Sequence, residues 1–166
     1  MAEFITSEKI LNILYNYNPW WQTDSVSTQY NKKMKRVAYY EANHAFLHET
    51  IRRATLLSGA RRTGKTTIMY QSIASLLEQK VSSKNILFIS LEHPLFKLCN
   101  LEMIINVYKE NICSDEFVYF FFDEIQYAED WDVWMKVLYD TNPNIRIMAT
   151  GSASPILNDK VKSESG

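Results

Sequence analysis

No run of about 18 uninterrupted apolar residues occurs anywhere in the 166-residue chain, so no segment reads as a membrane-crossing helix. The first ten residues have no basic flank and no long apolar stretch, so they do not read as a targeting segment. Cysteine is scarce. Cys99 and Cys113 lack metal-type spacing and sit in predicted helical surroundings, so they read as free thiols in a reducing compartment rather than a disulfide. Internal repeats and low-complexity stretches are absent. The formal net charge is only −1, which argues against an overall basic nucleic-acid binder. These lacks predict a soluble, cytoplasmic protein of one domain.

Apolar residues make up 46% of the chain, enough for a sizeable core. The charge is unevenly divided. Residues 1–84 carry 12 Lys/Arg against 6 Asp/Glu, whereas residues 85–166 carry 6 against 13. The basic half holds Lys32, Lys33, Lys35 and Arg36, and the acidic half holds a carboxylate cluster.

Residues 6–17 show a helical apolar stripe ended by Pro19-Trp20-Trp21, and 22–28 is polar and loop-like. The pattern predicts a second helix over 29–50, with Val37, Tyr40, Phe46 and Leu47 facing inward. Short apolar runs then alternate with helical stretches. Strands are predicted at 54–58, 85–91, 117–122 and 145–149, and helices at 65–79, 101–112 and 131–139. Such alternation means α/β, with a parallel sheet and crossover helices in a three-layer sandwich. The division expected is an N-terminal helical segment (1–50), a core (51–157) and a polar tail (158–166). The tail stops without a closing element, which reads as a truncated chain.

Residues 59–66 (GARRTGKT) fit G-x-x-x-x-G-K-[ST] in full. The match follows a predicted strand and opens a predicted helix, as a phosphate-binding loop requires. Gly59 and Gly64 allow the backbone to bend tightly and approach phosphate, and Ala60, Arg61, Arg62 and Thr63 complete an anion-binding nest. The helix dipole adds positive potential at its start. Lys65 is placed to reach the β- and γ-phosphates, Thr66 to ligate Mg²⁺, and Thr67 to meet the α-phosphate. Arg61 and Arg62 read either as phosphate contacts or as arginines that are solvated or paired with acids.

The run at 117–122 ends in Asp123-Glu124. An acid at a neighbouring strand tip holds Mg²⁺ in phosphate-loop enzymes, because ligands sit outside the carboxyl ends of parallel strands. A second acid beside it suits a general base that polarises the attacking water. Asp115-Glu116 lie at the opposite end of the strand and read as solvated. Thr150-Gly151-Ser152 follows another predicted strand. It reads either as a γ-phosphate or water contact, with Thr150 and Ser152 not separable, or as a plain turn.

The loop (GARRTGKTT), FFDEIQ at 121–126 followed by Trp131 and Trp134, and ATGSAS at 149–154 resemble the prokaryotic AAA-type ATPases, of the additional-strand P-loop class. Asn18-Pro19-Trp20-Trp21 also resembles their N-terminal region. The resemblance implies the strand order 5-1-4-3-2, with strand 5 not found here and strand 1 then an exposed edge. It implies Lys65 on phosphate, Thr66 and Asp123 on Mg²⁺, Glu124 as catalytic glutamate and Ser152 as first sensor, with ATP and Mg²⁺ as cofactors. Gln126 matches a usual position, with no role assigned. A lid, an arginine finger, a second sensor and a DNA- or protein-binding C-terminal domain have no candidates here. An oligomer is compatible with the resemblance.

Three function classes follow. The leading one is Mg²⁺-dependent ATP hydrolysis driving conformational change. The second is a nucleotide-gated switch acting on DNA or a protein partner, and the third a kinase-type transferase, against which Glu124 argues. ATP is preferred over GTP through the resemblance and the lack of an N-K-x-D guanine reader. Trp131, Val133, Trp134, Val137 and Leu138 read as core. Trp20 and Trp21 read as packing rather than as an adenine clamp. His44 and His48 lack an evident third metal ligand, and 32–36 reads as a solvated helix face rather than a nucleic-acid contact.

Overall fold

The computed structural model describes residues 4–48, 50, 54–113, 115 and 117–152. The tail 158–166, Ala153 and Ser154 of the third motif, and Glu116 lie outside the described residues. At the centre are four parallel strands: β1 (Thr55–Gly59), β2 (Ile86–Ser90), β3 (Val118–Asp123) and β4 (Ile145–Ser152). Their spatial order is β1-β4-β3-β2. This is the α/β architecture expected, and among the described residues no further strand lies beyond β1. The helices are α1 (Ser7–Tyr17), α2 (Trp20–Thr23), α3 (Val37–Phe46), α4 (Lys65–Glu78), α5 (Leu101–Asn111) and α6 (Trp131–Thr141). Among the described residues, no helix is long and apolar enough to cross a membrane.

Helices cover both faces of the sheet, which is why β3 reads as continuous apolar sequence rather than alternation. On one face, Phe46 of α3 lies 5.9 Å from Tyr119 and 5.2 Å from Phe121. Phe88, in register with Phe121, stacks on Tyr70 of α4 at 4.9 Å. On the other face, Phe120 meets Tyr108 of α5 at 6.2 Å. Phe88, Phe120, Phe121 and Phe122 are all fully buried, and each such side chain contributes about 1.5–3 kcal/mol.

The outer edge of β2 is covered by side chains instead of a strand. Asn18, fully buried, accepts from the Phe88 N–H at 2.6 Å and donates to the Phe88 carbonyl at 2.9 Å. Trp20 and Trp21 both donate their indole N–H to the Ile86 carbonyl, at 3.2 and 2.9 Å. Asn-Pro-Trp-Trp thus supplies the hydrogen bonds a fifth strand would have made on that side. Pro19 does not simply end α1; it leads into the short α2 that carries the two tryptophans.

The predicted helix over 29–50 is too long. Among the described residues of that span only α3 is helical, because 32–36 is drawn along α4, where Gln71 donates to the carbonyls of Lys32 and Met34 at 2.8 and 3.1 Å. The inner face is corrected with it. Val37 and Tyr40 are 73% and 61% exposed, and Tyr39, Ala42 and Phe46 face inward. The stripe on α6 is also narrower than predicted: Val133 and Val137 are exposed, and Met135 is the buried residue. β4 runs through Ser152, so Thr150 and Gly151 lie inside the strand and not in a turn after it. Cys99 follows a single 3₁₀ turn (Phe96–Leu98) rather than sitting in a helix, and both cysteines are free.

Candidate functional site

The site lies at the carboxyl ends of β1, β3 and β4. β1 ends at Gly59, and α4 begins at Lys65, so the loop between them turns the chain through one strand-to-helix connection. Gly64 has φ of +91°, a left-handed conformation that a side chain resists, and a Cβ there would meet the Arg36 guanidinium at 3.4 Å. Arg62 is also left-handed, with φ of +63°. The loop is braced internally by the Thr63 hydroxyl, which donates to the Ala60 carbonyl at 2.8 Å.

Lys65 is buried and folds over the loop. Its ammonium donates to the Gly59 and Ala60 carbonyls at 3.0 and 2.7 Å. Thr66, the next residue, donates to the Asp123 carboxylate, 3.0 and 3.1 Å from its two oxygens. A buried Thr150 donates to the same carboxylate at 2.6 Å. Thr150 also accepts from the Glu124 N–H at 2.9 Å. One hydroxyl therefore joins β4 to both acids. Ser152 ends β4 opposite Gly59 in the pairing register.

Asp123 is the last residue of β3 and is buried. Burial pushes its carboxyl above the ordinary carboxylate range, and the Glu124 charge adds to this. Hydrogen bonds from Thr150 and Thr66, and the Lys65 charge, oppose the shift without cancelling it. Glu124 takes a left-handed conformation, φ +54°, as the chain leaves β3. Its carboxylate accepts a hydrogen bond from the Gln126 side-chain amide.

The donor set fits a hard divalent cation. A carboxylate and a hydroxyl converge, both oxygen ligands of the kind Mg²⁺ takes together with water and phosphate oxygens. By contrast, His44 and His48 meet edge-on at 5.6 Å, and no group of three His, Cys, Asp or Glu able to hold a metal occurs among the described residues.

Further contacts surround the loop, and in them Arg61 takes the acid-paired alternative. Arg61 pairs with Glu92 at 3.0 Å and donates to the Tyr127 hydroxyl at 2.8 Å. The Lys97 ammonium sits 4.2 Å from the Tyr127 ring centre. Arg36 donates to the Thr63 carbonyl at 2.9 Å, bringing the basic segment 32–36 to the phosphate loop. Glu92 was detectable, since it follows the carboxyl end of β2. Arg36 was not, because its partner lies 27 residues away and nothing in the local pattern points to it. Thr67 borders a small cavity of about 80 Å³ shared with Arg36 and Gly64.

Comparison with known proteins adds a family. The model of the AAA domain matches residues 51–165. An uncharacterised protein of Methanocaldococcus jannaschii is 32% identical over 154 residues, covering 84% of this chain and 30% of that protein. An uncharacterised protein of Haemophilus influenzae is 30% identical over 108 residues, covering 64% of this chain and 27% of its own length. The chain thus spans less than a third of either relative. Among solved structures, C. elegans PCH-2 is similar over 82% of this chain and 41% of its own, with 19% identity and a TM-score of 0.44.

Proposed function

The chain belongs to the AAA domain family of nucleotide-binding ATPases, and we propose that it binds ATP with Mg²⁺ and hydrolyses the γ-phosphate. The observation that carries this reading is the convergence of Thr66, Asp123 and Thr150 through direct hydrogen bonds, with Glu124 adjacent. A phosphate loop alone accounts for binding. Two acids at the tip of β3, one strand removed from β1 across β4, support the hydrolytic reading.

Residues 59–67 would cradle the phosphates at the start of α4, where the helix dipole favours negative charge. Lys65 would exchange the Gly59 and Ala60 carbonyls for phosphate oxygens. Thr66 and Asp123 would hold Mg²⁺, which when bound neutralises charge on the β- and γ-phosphate oxygens. Glu124 would accept a proton from the attacking water and orient it in line with the leaving oxygen. Ser152 and Thr150 would read the state of the γ-phosphate from β4. Once Lys65 has made that exchange, charge developing in the transition state would be met by groups already positioned around it.

Phosphate release by the whole protein tests this. Wild type should exceed Glu124→Gln by about 10²–10⁴-fold, the usual range for a positioned general base. Wild-type turnover no faster than the variant's removes Glu124 from the mechanism.

A second reading is supported by the hydrogen bonds of Arg36 and Gln71. These tie the basic segment 32–36 to the phosphate loop and to α4. A nucleotide-gated switch would use that link to expose or withdraw Lys32, Lys33 and Lys35 toward DNA or an acidic protein. DNA affinity that is absent, or unchanged by nucleotide, counts against it.

A further inference from the structure

We propose that Gln126 is a positioning residue for hydrolysis, acting through Glu124; the inference rests on the hydrolytic reading above. Its side-chain amide donates to the Glu124 carboxylate across the 3₁₀ turn Ile125–Tyr127. An amide facing a carboxylate must present its N–H, because carbonyl and carboxylate oxygens repel. That orientation sends the other amide atom, Oε1, into the protein, where it is buried with no hydrogen-bond partner.

The orphaned oxygen is informative. A buried acceptor left unmade carries a desolvation cost that an apolar side chain of the same length would avoid. Local stability therefore gives no reason for glutamine at this position. The contact with Glu124 does.

Glu124 needs such a restraint. It leaves the strand in a left-handed conformation, φ +54°, and its backbone N–H is held by Thr150 at 2.9 Å. The backbone is thus pinned while the side chain has further torsions free to turn. Gln126 restrains the far end of that side chain. An acid meant to hold one water in line with a phosphorus atom gains most from this, since loss of alignment by about 1 Å can cost on the order of 10²-fold in rate. Gln126 contacts the acid and not the reacting atoms.

The test uses the whole protein, with phosphate release, nucleotide affinity and thermal melting measured together. Gln126→Met removes both amide atoms and keeps the length. Gln126→Glu keeps the shape, loses the donor and provides a second variant should the first fold poorly. Each should lower kcat by about 10²-fold, with KM and the dissociation constant for ATP within about twofold of wild type. Gln126→Met should melt no lower than wild type. In a Glu124→Gln background, Gln126→Met should cause no further loss, since the residue acts only through that acid. The proposal is overturned if either folded variant keeps wild-type kcat, if nucleotide affinity falls in parallel with turnover, or if the losses multiply in the double variant. Wild-type turnover equal to that of Glu124→Gln overturns the hydrolytic reading and this inference together. Normal wild-type turnover with an unimpaired Gln126→Glu overturns this inference alone.

Discussion

Thr150 donates to Asp123 at 2.6 Å while accepting from the Glu124 N–H at 2.9 Å, so one β4 hydroxyl locks the two acids at the tip of β3. Thr150→Val keeps the branched shape and deletes both bonds. It should lower stability by about 1–3 kcal/mol, because a half-buried N–H and a buried carboxylate oxygen lose a partner. Phosphate release should fall as well. Thr150→Ser, which keeps the hydroxyl, should restore most of both. Urea melts and turnover on the two variants decide the matter, and a valine variant as stable as wild type contradicts it.

Asp123 should behave as a functional group held against the stability of the fold. Its folded-state pKa is raised, chiefly by burial, above the ordinary value of 3.8. The folded protein therefore holds this proton more tightly than the unfolded chain does. The resulting stabilisation is complete below about pH 3.8 and is lost as pH rises through the folded-state value. In a chelator at neutral pH, Asp123→Asn should melt no lower than wild type. Adding ATP with Mg²⁺ should raise the wild-type melting temperature and leave the variant's nearly unmoved. Calorimetry checks both, and a variant that melts well below wild type in chelator refutes the first.

Asn18→Leu tests the edge of β2. The substitution leaves the Phe88 N–H and carbonyl without their side-chain partner. Two buried backbone groups at about 1–3 kcal/mol each predict a loss of roughly 2–6 kcal/mol. An unpaired strand edge also invites association. Denaturant melts should show the first effect, and light scattering of the folded variant the second.

Gly64→Ala places a Cβ on a residue with φ of +91°, in contact with Arg36. The strain should cost about 1–3 kcal/mol and displace the loop. ATP affinity should fall at least tenfold, measured by calorimetric titration. Unaltered affinity would mean the loop conformation at Gly64 is not the one that binds.

Arg36→Met removes an exposed hydrogen bond to the Thr63 carbonyl. Stability should change by less than about 1 kcal/mol. Hydrogen exchange over 32–36 should respond to nucleotide in wild type and respond far less in the variant. An equal response in both would break the proposed link between the basic segment and the loop.

Local pattern was enough wherever one element accounts for its own residues. The strand at 117–122 is apolar on both faces because helices cover both, and that pattern is visible without knowing which helices. The turn from β1 to α4 falls within 59–66, where the spacing of the glycines, lysine and threonine marks it in the sequence. The helix over 29–50 failed for the opposite reason. Nothing local shows that Gln71 captures the carbonyls of Lys32 and Met34 from a helix some 40 residues later. The same holds for Tyr39 replacing Val37 and Tyr40 on the inner face, since the register of α3 is set by Phe46 meeting Tyr119 and Phe121.

The site divides along the same line. The placement of Lys65, Thr66, Asp123 and Glu124 at a helix start and a strand end is legible in the sequence, because the apolar runs that flank them mark those boundaries. Sequence alone could not separate Thr150 from Ser152, assign Gln126, or explain Asn18-Pro19-Trp20-Trp21. Thr150 and Asn18 depend on partners 26 and 70 residues away that come within hydrogen-bond reach only after the sheet is assembled, and Gln126 depends on the turn that aims it back at Glu124. Hydrogen bonds are short and directional, so residue type and spacing determine which candidate groups the chain offers, and packing decides which neighbour holds each of them in place.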